Sequence, residues 1–157
     1  EQQWHDSIEG KFLGQIRVTK AAIPYMKDRK WGRIIHIIGN AGVEPGPFNL
    51  PPATSNAALI NFVKGLSRDL AKNGILINGV SPGATDTRRI AYLIERQSEL
   101  RGVTPEEMRA RFVKDIPVGR IGTPQEIADM VVFLSSERAS FITGEVIIVD
   151  GGERRGV

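Results

Sequence analysis

Residues 73–83 read Asn-Gly-Ile-Leu-Ile-Asn-Gly-Val-Ser-Pro-Gly, and this stretch decides the fold. Its centre, 75–80, is a short apolar run between Asn73-Gly74 and Pro82-Gly83. That length and punctuation predict a strand buried on both faces, as in a parallel sheet. Upstream, Ala57, Ala58, Phe62, Leu66 and Leu70 recur near helical spacing. Asn49 is placed to cap that helix. Pro51 and Pro52 fall in its first turn, where a missing N–H costs least, and Asn73-Gly74 supplies its stop. Residues 43–51 before it read as a loop. Earlier still, Gly32-Arg33 leads into Ile34-Ile35-His36-Ile37-Ile38, which predicts a second strand buried on both faces and ended by Gly39-Asn40. Residues 1–27 predict a helix carrying Trp4, Ile8, Phe12, Ile16 and Ala22.

Downstream of the central run, residues 84–120 are polar and helix-prone. Thr104-Pro105-Glu106-Glu107 and Thr123-Pro124-Gln125-Glu126 both have the form of a capping box with Pro at the first helical position. After the second box, Ile127, Met130, Val131 and Leu134 share a face, and residues 145–149 predict a last strand ending at Asp150-Gly151-Gly152. The order helix, strand, helix, strand, helices, strand implies parallel strands joined by helical crossovers, a layered α/β domain.

The chain has 157 residues, one domain by length, with 41% hydrophobic and 25% charged residues, as in an ordinary globular protein. No run approaches the length of a membrane helix, so no membrane partner is expected. The opening Glu1-Gln2-Gln3-Trp4 does not read as a signal peptide, and a cytoplasmic location is the expectation. There is no cysteine, which removes disulfides, thiol catalysis and thiolate metal sites, and no metal site is expected. The net charge is +3 and the isoelectric point about 9.5, but the cations are scattered. The clusters at 27–30 and at Glu153-Arg154-Arg155 read as solvated surface, and no nucleic-acid partner is expected. His36 reads as a core histidine and His5 as a surface one, since neither has a second ligand at metal spacing.

Three series of residues then stand at a recognisable spacing: Gly32-Arg33-Ile34-Ile35, the whole of 73–83, and Phe141-Ile142-Thr143-Gly144-Glu145-Val146-Ile147-Ile148-Val149-Asp150-Gly151-Gly152. Pro117-Val118-Gly119-Arg120 and Leu134-Ser135-Ser136-Glu137 add to them. Together they resemble the short-chain dehydrogenase/reductase family, over essentially all 157 residues. The resemblance implies a partial Rossmann-like, three-layer α/β sandwich of about three parallel strands with flanking helices. It makes residues 1–157 a single domain, the C-terminal part of such a fold, lacking the N-terminal half that receives the dinucleotide. Gly39-Asn40-Ala41-Gly42 does not replace that half. Val43-Glu44-Pro45-Gly46-Pro47 cannot open the helix that a pyrophosphate needs. A further possibility is that the chain is part of a longer protein, which an intact mass would reveal.

The resemblance further implies NAD or NADP as cofactor and hydride transfer between an alcohol and a carbonyl. Relatives use an Asn that anchors a relay water, a Ser that orients the carbonyl, and a Tyr acid/base whose pKa a Lys lowers. By motif register those positions fall on Lys11, Gly39, Pro52 and Asn56, none with the family residue. The only tyrosines, Tyr25 and Tyr92, are followed four residues on by Arg29 and Arg96, so no change of register restores the pair. Tyr92 through Arg96 has the spacing of a dehalogenating relative's pair but lies on the wrong element, and reads as helix surface. The expectation is therefore impaired or absent catalysis, with Lys11 as a desolvated amine and Glu44 as a base the remaining candidates. Nicotinamide contacts map onto Pro82, Gly83, Thr85 and Thr87. The first helix, the Asn56 helix and the Thr123 helix with the last strand resemble association surfaces. With an unpaired edge on strand 34–38, they imply a homo-oligomer or pairing with another chain of the family.

Overall fold

A parallel three-stranded sheet, in the order β1 (Gly32–Ile37), β2 (Ile75–Pro82), β3 (Val146–Val149), carries the chain. The computed structural model describes residues 1–47 and 49–156, so Phe48 of the expected loop lies outside the described residues. Helices α2 (Gly14–Arg29) and α3 (Leu50–Ala71) cover one face, and α6 (Pro124–Ser135) covers the other. This is the three-layer arrangement expected of an α/β chain. Ile34, Ile38, Ile75 and Ile77 meet Leu59, Val63 and Leu70 of α3 on the first face; Val80 meets Leu134 of α6 on the second. Helices α4 (Arg88–Arg101) and α5 (Pro105–Lys114) form a separate lobe around Ile90, Ile94 and Met108.

The helix expected over 1–27 is present as α1 (Gln2–Asp6), a π-helical stretch (Ser7–Leu13) and α2. Gly10 lies within the wide turn and Gly14 ends it, and the Gln15 side chain donates to the Lys11 carbonyl at 3.1 Å. Its apolar positions are less buried than the spacing suggests: Trp4 and Ile8 are each about two-fifths exposed. Ser7 and Ser55 hydroxyls, 2.9 Å apart, join the π stretch to α3.

Only β2 is covered on both faces along most of its length. β1, expected to be buried on both, alternates: Ile34, His36 and Ile38 face α2 and α3, whereas Arg33 and Ile35 are half-buried and Ile37 is exposed. On this second face Ile35 packs against the Val80 and Leu134 cluster, whereas Ile37 lines a cavity. His36 is buried as a core histidine, its Nδ1 donating to Gln15 Oε1 at 2.7 Å and its Nε2 accepting from Thr19 Oγ1 at 3.2 Å. Burial holds its pKa below the ordinary value. Both capping boxes form, at Thr104 with Glu107 and at Thr123 with Glu126. Asn49 does sit at the start of α3, but its side chain accepts from the Gly46 amide at 2.9 Å instead of capping the helix. Asn78, fully buried in β2, donates to the Ile142 carbonyl at 2.8 Å and accepts from the Glu145 amide at 3.1 Å. It thereby fixes the approach to β3.

Candidate functional site

Parallel α/β sheets offer ligands the crevice beyond the carboxyl ends of their strands, and three polar residues tie those ends together here. Asn40, just after β1, accepts from the Ser81 hydroxyl of β2 at 2.6 Å and donates to Asp150, just after β3, at 3.2 Å. Asp150 also accepts from the amides of Gly152 at 2.8 Å and Arg154 at 2.9 Å. Asn40 of this network lines a cavity of about 690 Å³. Its apolar wall comes from Ile37, Ile90, Leu93, Phe112 and Ile127, so β1, the α4–α5 lobe and α6 all contribute.

The four positions assigned to nicotinamide contacts, Pro82, Gly83, Thr85 and Thr87, all line this cavity. Gly83 is required: a Cβ there would lie 2.5 Å from the Asp150 Cβ and 2.6 Å from a Glu153 carboxylate oxygen. The Thr85 hydroxyl donates to the Gly83 carbonyl at 3.0 Å and the Thr87 hydroxyl to the Thr85 carbonyl at 3.2 Å, so their oxygens still have lone pairs to offer. These groups fit the carboxamide end of a dinucleotide. No glycine-rich strand–turn–helix for its pyrophosphate occurs among the described residues.

Of the four positions aligned with catalytic residues, Lys11 and Gly39 line the cavity; Pro52 and Asn56 do not. Pro52 lies in the first turn of α3. Asn56 is buried, and its Oδ1 accepts from the Gly39 amide at 3.0 Å. Lys11 reaches in from the π stretch and donates to the Ile37 carbonyl at 3.3 Å. Burial, and then the nearby Arg89 charge, lower its pKa. Glu44, considered above as a base, also lines the cavity, but it accepts from the amides of Arg155 at 3.1 Å and Gly156 at 2.6 Å.

Among the lining residues that the sequence does not assign to the site, four are polar or charged: Asn40, Arg89, Glu153 and Arg154. Asn40 was read only as strand punctuation, although a polar residue at a strand's carboxyl end is itself a signal. The cluster around Glu153 and Arg154 was read as solvated, which is a misreading: both are half-buried, and Glu153 accepts from the Ala84 amide at 3.0 Å. Its source is tertiary, since 69 residues separate the partners. Tyr92 is exposed on α4.

A family model described as enoyl-(acyl carrier protein) reductase matches residues 1–153. The chain belongs to the short-chain dehydrogenase/reductase family. Among short-chain relatives, 3-oxoacyl-[acyl-carrier-protein] reductase of Aquifex aeolicus is 36% identical over 149 residues, 95% of this chain and 56% of that protein. NADPH-dependent reductase BacG of Bacillus subtilis is 35% identical over 147 residues, covering 94% of this chain and 57% of its own length. The solved structure of an actinorhodin polyketide ketoreductase variant with NADPH superposes with a TM-score of 0.90 at 33% identity. That match covers 96% of this chain and 58% of the other. The chain thus spans somewhat over half the length of these short-chain dehydrogenase/reductase relatives.

Proposed function

We propose that this chain keeps the carbonyl-side cleft of an NAD(P)-linked alcohol/carbonyl oxidoreductase while lacking that family's means of moving the proton. The observation that carries this reading is the pair Gly39–Asn56. Where the family resemblance expects a hydroxyl and an ammonium, there is a bare backbone and a carboxamide engaged with that backbone's N–H. Proline at 52 has no ionisable group to substitute for a tyrosine. NAD(P)H, when bound, supplies a hydride, and the alkoxide formed needs an acid at its oxygen. Pro82, Gly83, Thr85 and Thr87 would hold the carboxamide end, and Asn40 with Asp150 would keep the strand ends in register.

Fluorescence titration of NADPH, followed by turnover of simple ketones, tests this on a sample shown to be folded. The expectation is weak or no saturable NADPH binding and no turnover. Robust ketone reduction overturns the reading, and its abolition by Lys11→Met would reassign the proton to Lys11.

A second reading, a non-catalytic scaffold that associates, is favoured by the open side of β1. This strand pairs only with β2 among the described residues, and a groove of about 430 Å³ lined by Gly14, Val18 and Ala22 of α2 runs beside it. Such an edge recruits another strand, from a second copy, another chain of the family or further sequence of the same protein. A strictly monomeric sedimentation profile counts against self-association.

A further inference from the structure

We infer that the cavity takes a small organic anion, its apolar body against the wall and its carboxylate or phosphate between Lys11 and Arg89. The inference rests on reading the cavity as a retained cleft and names the class of ligand that cleft selects. Five charged side chains face it: Lys11 from the π stretch, Glu44 from the loop after β1, Arg89 from α4, and Glu153 and Arg154 from the segment after β3. The two carboxylates are each engaged by backbone donors. Glu44 accepts two amides of the C-terminal segment, and Glu153 accepts the Ala84 amide at 3.0 Å. Arg154 has other contacts within the protein.

Lys11 and Arg89 differ. Among the described residues no carboxylate lies within salt-bridge distance of either, although eight other cation–anion pairs form. Lys11 donates to the neutral Ile37 carbonyl at 3.3 Å, and Arg89 acts on it as a like charge. Two cations facing one half-enclosed cavity repel each other, and an anion between them turns that repulsion into two charge-assisted hydrogen bonds. Arginine presents a planar fork suited to carboxylate or phosphate oxygens, and lysine adds a point charge. Beside them, Ile90, Leu93 and Phe112 offer the apolar surface that buries the rest of a small ligand. The volume, about 690 Å³, is within the range of such sites.

Calorimetric titration of the folded chain with cinnamate, phenyl phosphate and the neutral cinnamamide tests the assignment. At least one anion should bind about tenfold or more tightly than the amide, the contribution of a charge-assisted hydrogen bond. Lys11→Gln and Arg89→Gln should each remove most of that preference, whereas Lys11→Arg should retain it. Arg88→Gln, at the adjacent position that does not line the cavity, should leave it unchanged. Circular dichroism confirms that each variant is folded. Equal binding of anions and amide, or equal effects of the Arg88 and Arg89 variants, overturns the anion assignment and leaves the cleft standing. No binding of any probe to a folded sample at millimolar concentration overturns both. Ketone turnover in the same sample overturns the proposed function without touching the anion site.

Discussion

Replacing Asn56 by leucine asks whether the position aligned with the family's catalytic lysine now serves the fold. Asn56 is 4% exposed, and its Oδ1 accepts the Gly39 amide at 3.0 Å where β1 ends. Leucine keeps the size and shape of the side chain but offers no acceptor, so a part-buried N–H loses its partner. An orphaned donor costs about 1–3 kcal/mol, and partial burial places this one at about 1–2 kcal/mol. For a chain of this length each kcal/mol lowers Tm by about 2–4 °C, which gives an expected fall of about 2–8 °C. The Gly39 amide should also exchange with solvent about 5–30-fold faster, because 1.4 kcal/mol is a factor of ten. Thermal unfolding followed by circular dichroism reads the first quantity, and native-state hydrogen exchange by NMR reads the second. Asn61→Leu is the control. Its side chain only donates to the Ala57 carbonyl on the exposed face of α3, and its effect should stay within about 0.5 kcal/mol. An unchanged Tm refutes the reasoning. So does a lowered Tm with unchanged exchange at Gly39, since the loss would then come from packing alone.

Further outcomes follow from the same contacts. The fold favours neutral His36, so below the ordinary value of 6.5 the folded chain binds fewer protons than the unfolded one. Stability is therefore full above that pH and falls as pH drops below it; urea unfolding across pH should show this slope, and His36→Gln should flatten it. Gly74 stops α3 with φ +71°, and a Cβ there would sit 2.2 Å from the Lys30 carbonyl oxygen. Gly74→Ala should thus cost more than the about 1–2 kcal/mol of a left-handed residue, whereas Gly65→Ala, in open space within α3, should stabilise by about 0.5–1 kcal/mol. Urea midpoints moving in the same direction for both would contradict this. Arg120 and the Thr123 amide hold the Glu126 carboxyl down to about 2, so its contribution is present above 4.5 and lost as pH falls through about 2. Arg120→Gln should raise that titration midpoint toward 4.5, as read by side-chain NMR.

How far the sequence discloses this arrangement depends on how local each signal is. The capping boxes at Thr104 and Thr123 involve residues three apart, and both form as their spacing predicts. β2 is legible because α3 covers one of its faces and α6 the other, which produces the apolar run. β1 has nearly the same composition but lies at an edge, and no feature of Ile34-Ile35-His36-Ile37-Ile38 reveals that its second face borders a cavity. The side-chain partner of Asn49 was missed because a polar side chain at a helix start can satisfy a turn instead of the helix. Motif register supplies the cavity positions Lys11, Gly39, Pro82, Gly83, Thr85 and Thr87, whereas Glu153 enters through a contact with the Ala84 amide, 69 residues away in sequence.

The cleft and the chemistry rest on different residues, and that separation makes a binding role physically reasonable. Asn40, Ser81 and Asp150 link all three strand ends without involving any of the four positions aligned with catalysis. At Asn56 the substitution even adds a contact, since the carboxamide holds the Gly39 amide at the end of β1. At Lys11 the substitution brings a cation to a cavity that Arg89 already faces. On the proposed reading, loss of a proton donor and gain of an anion-selective surface would be two consequences of one set of replacements. Ligand charge is accordingly the variable on which binding by this chain should depend most strongly.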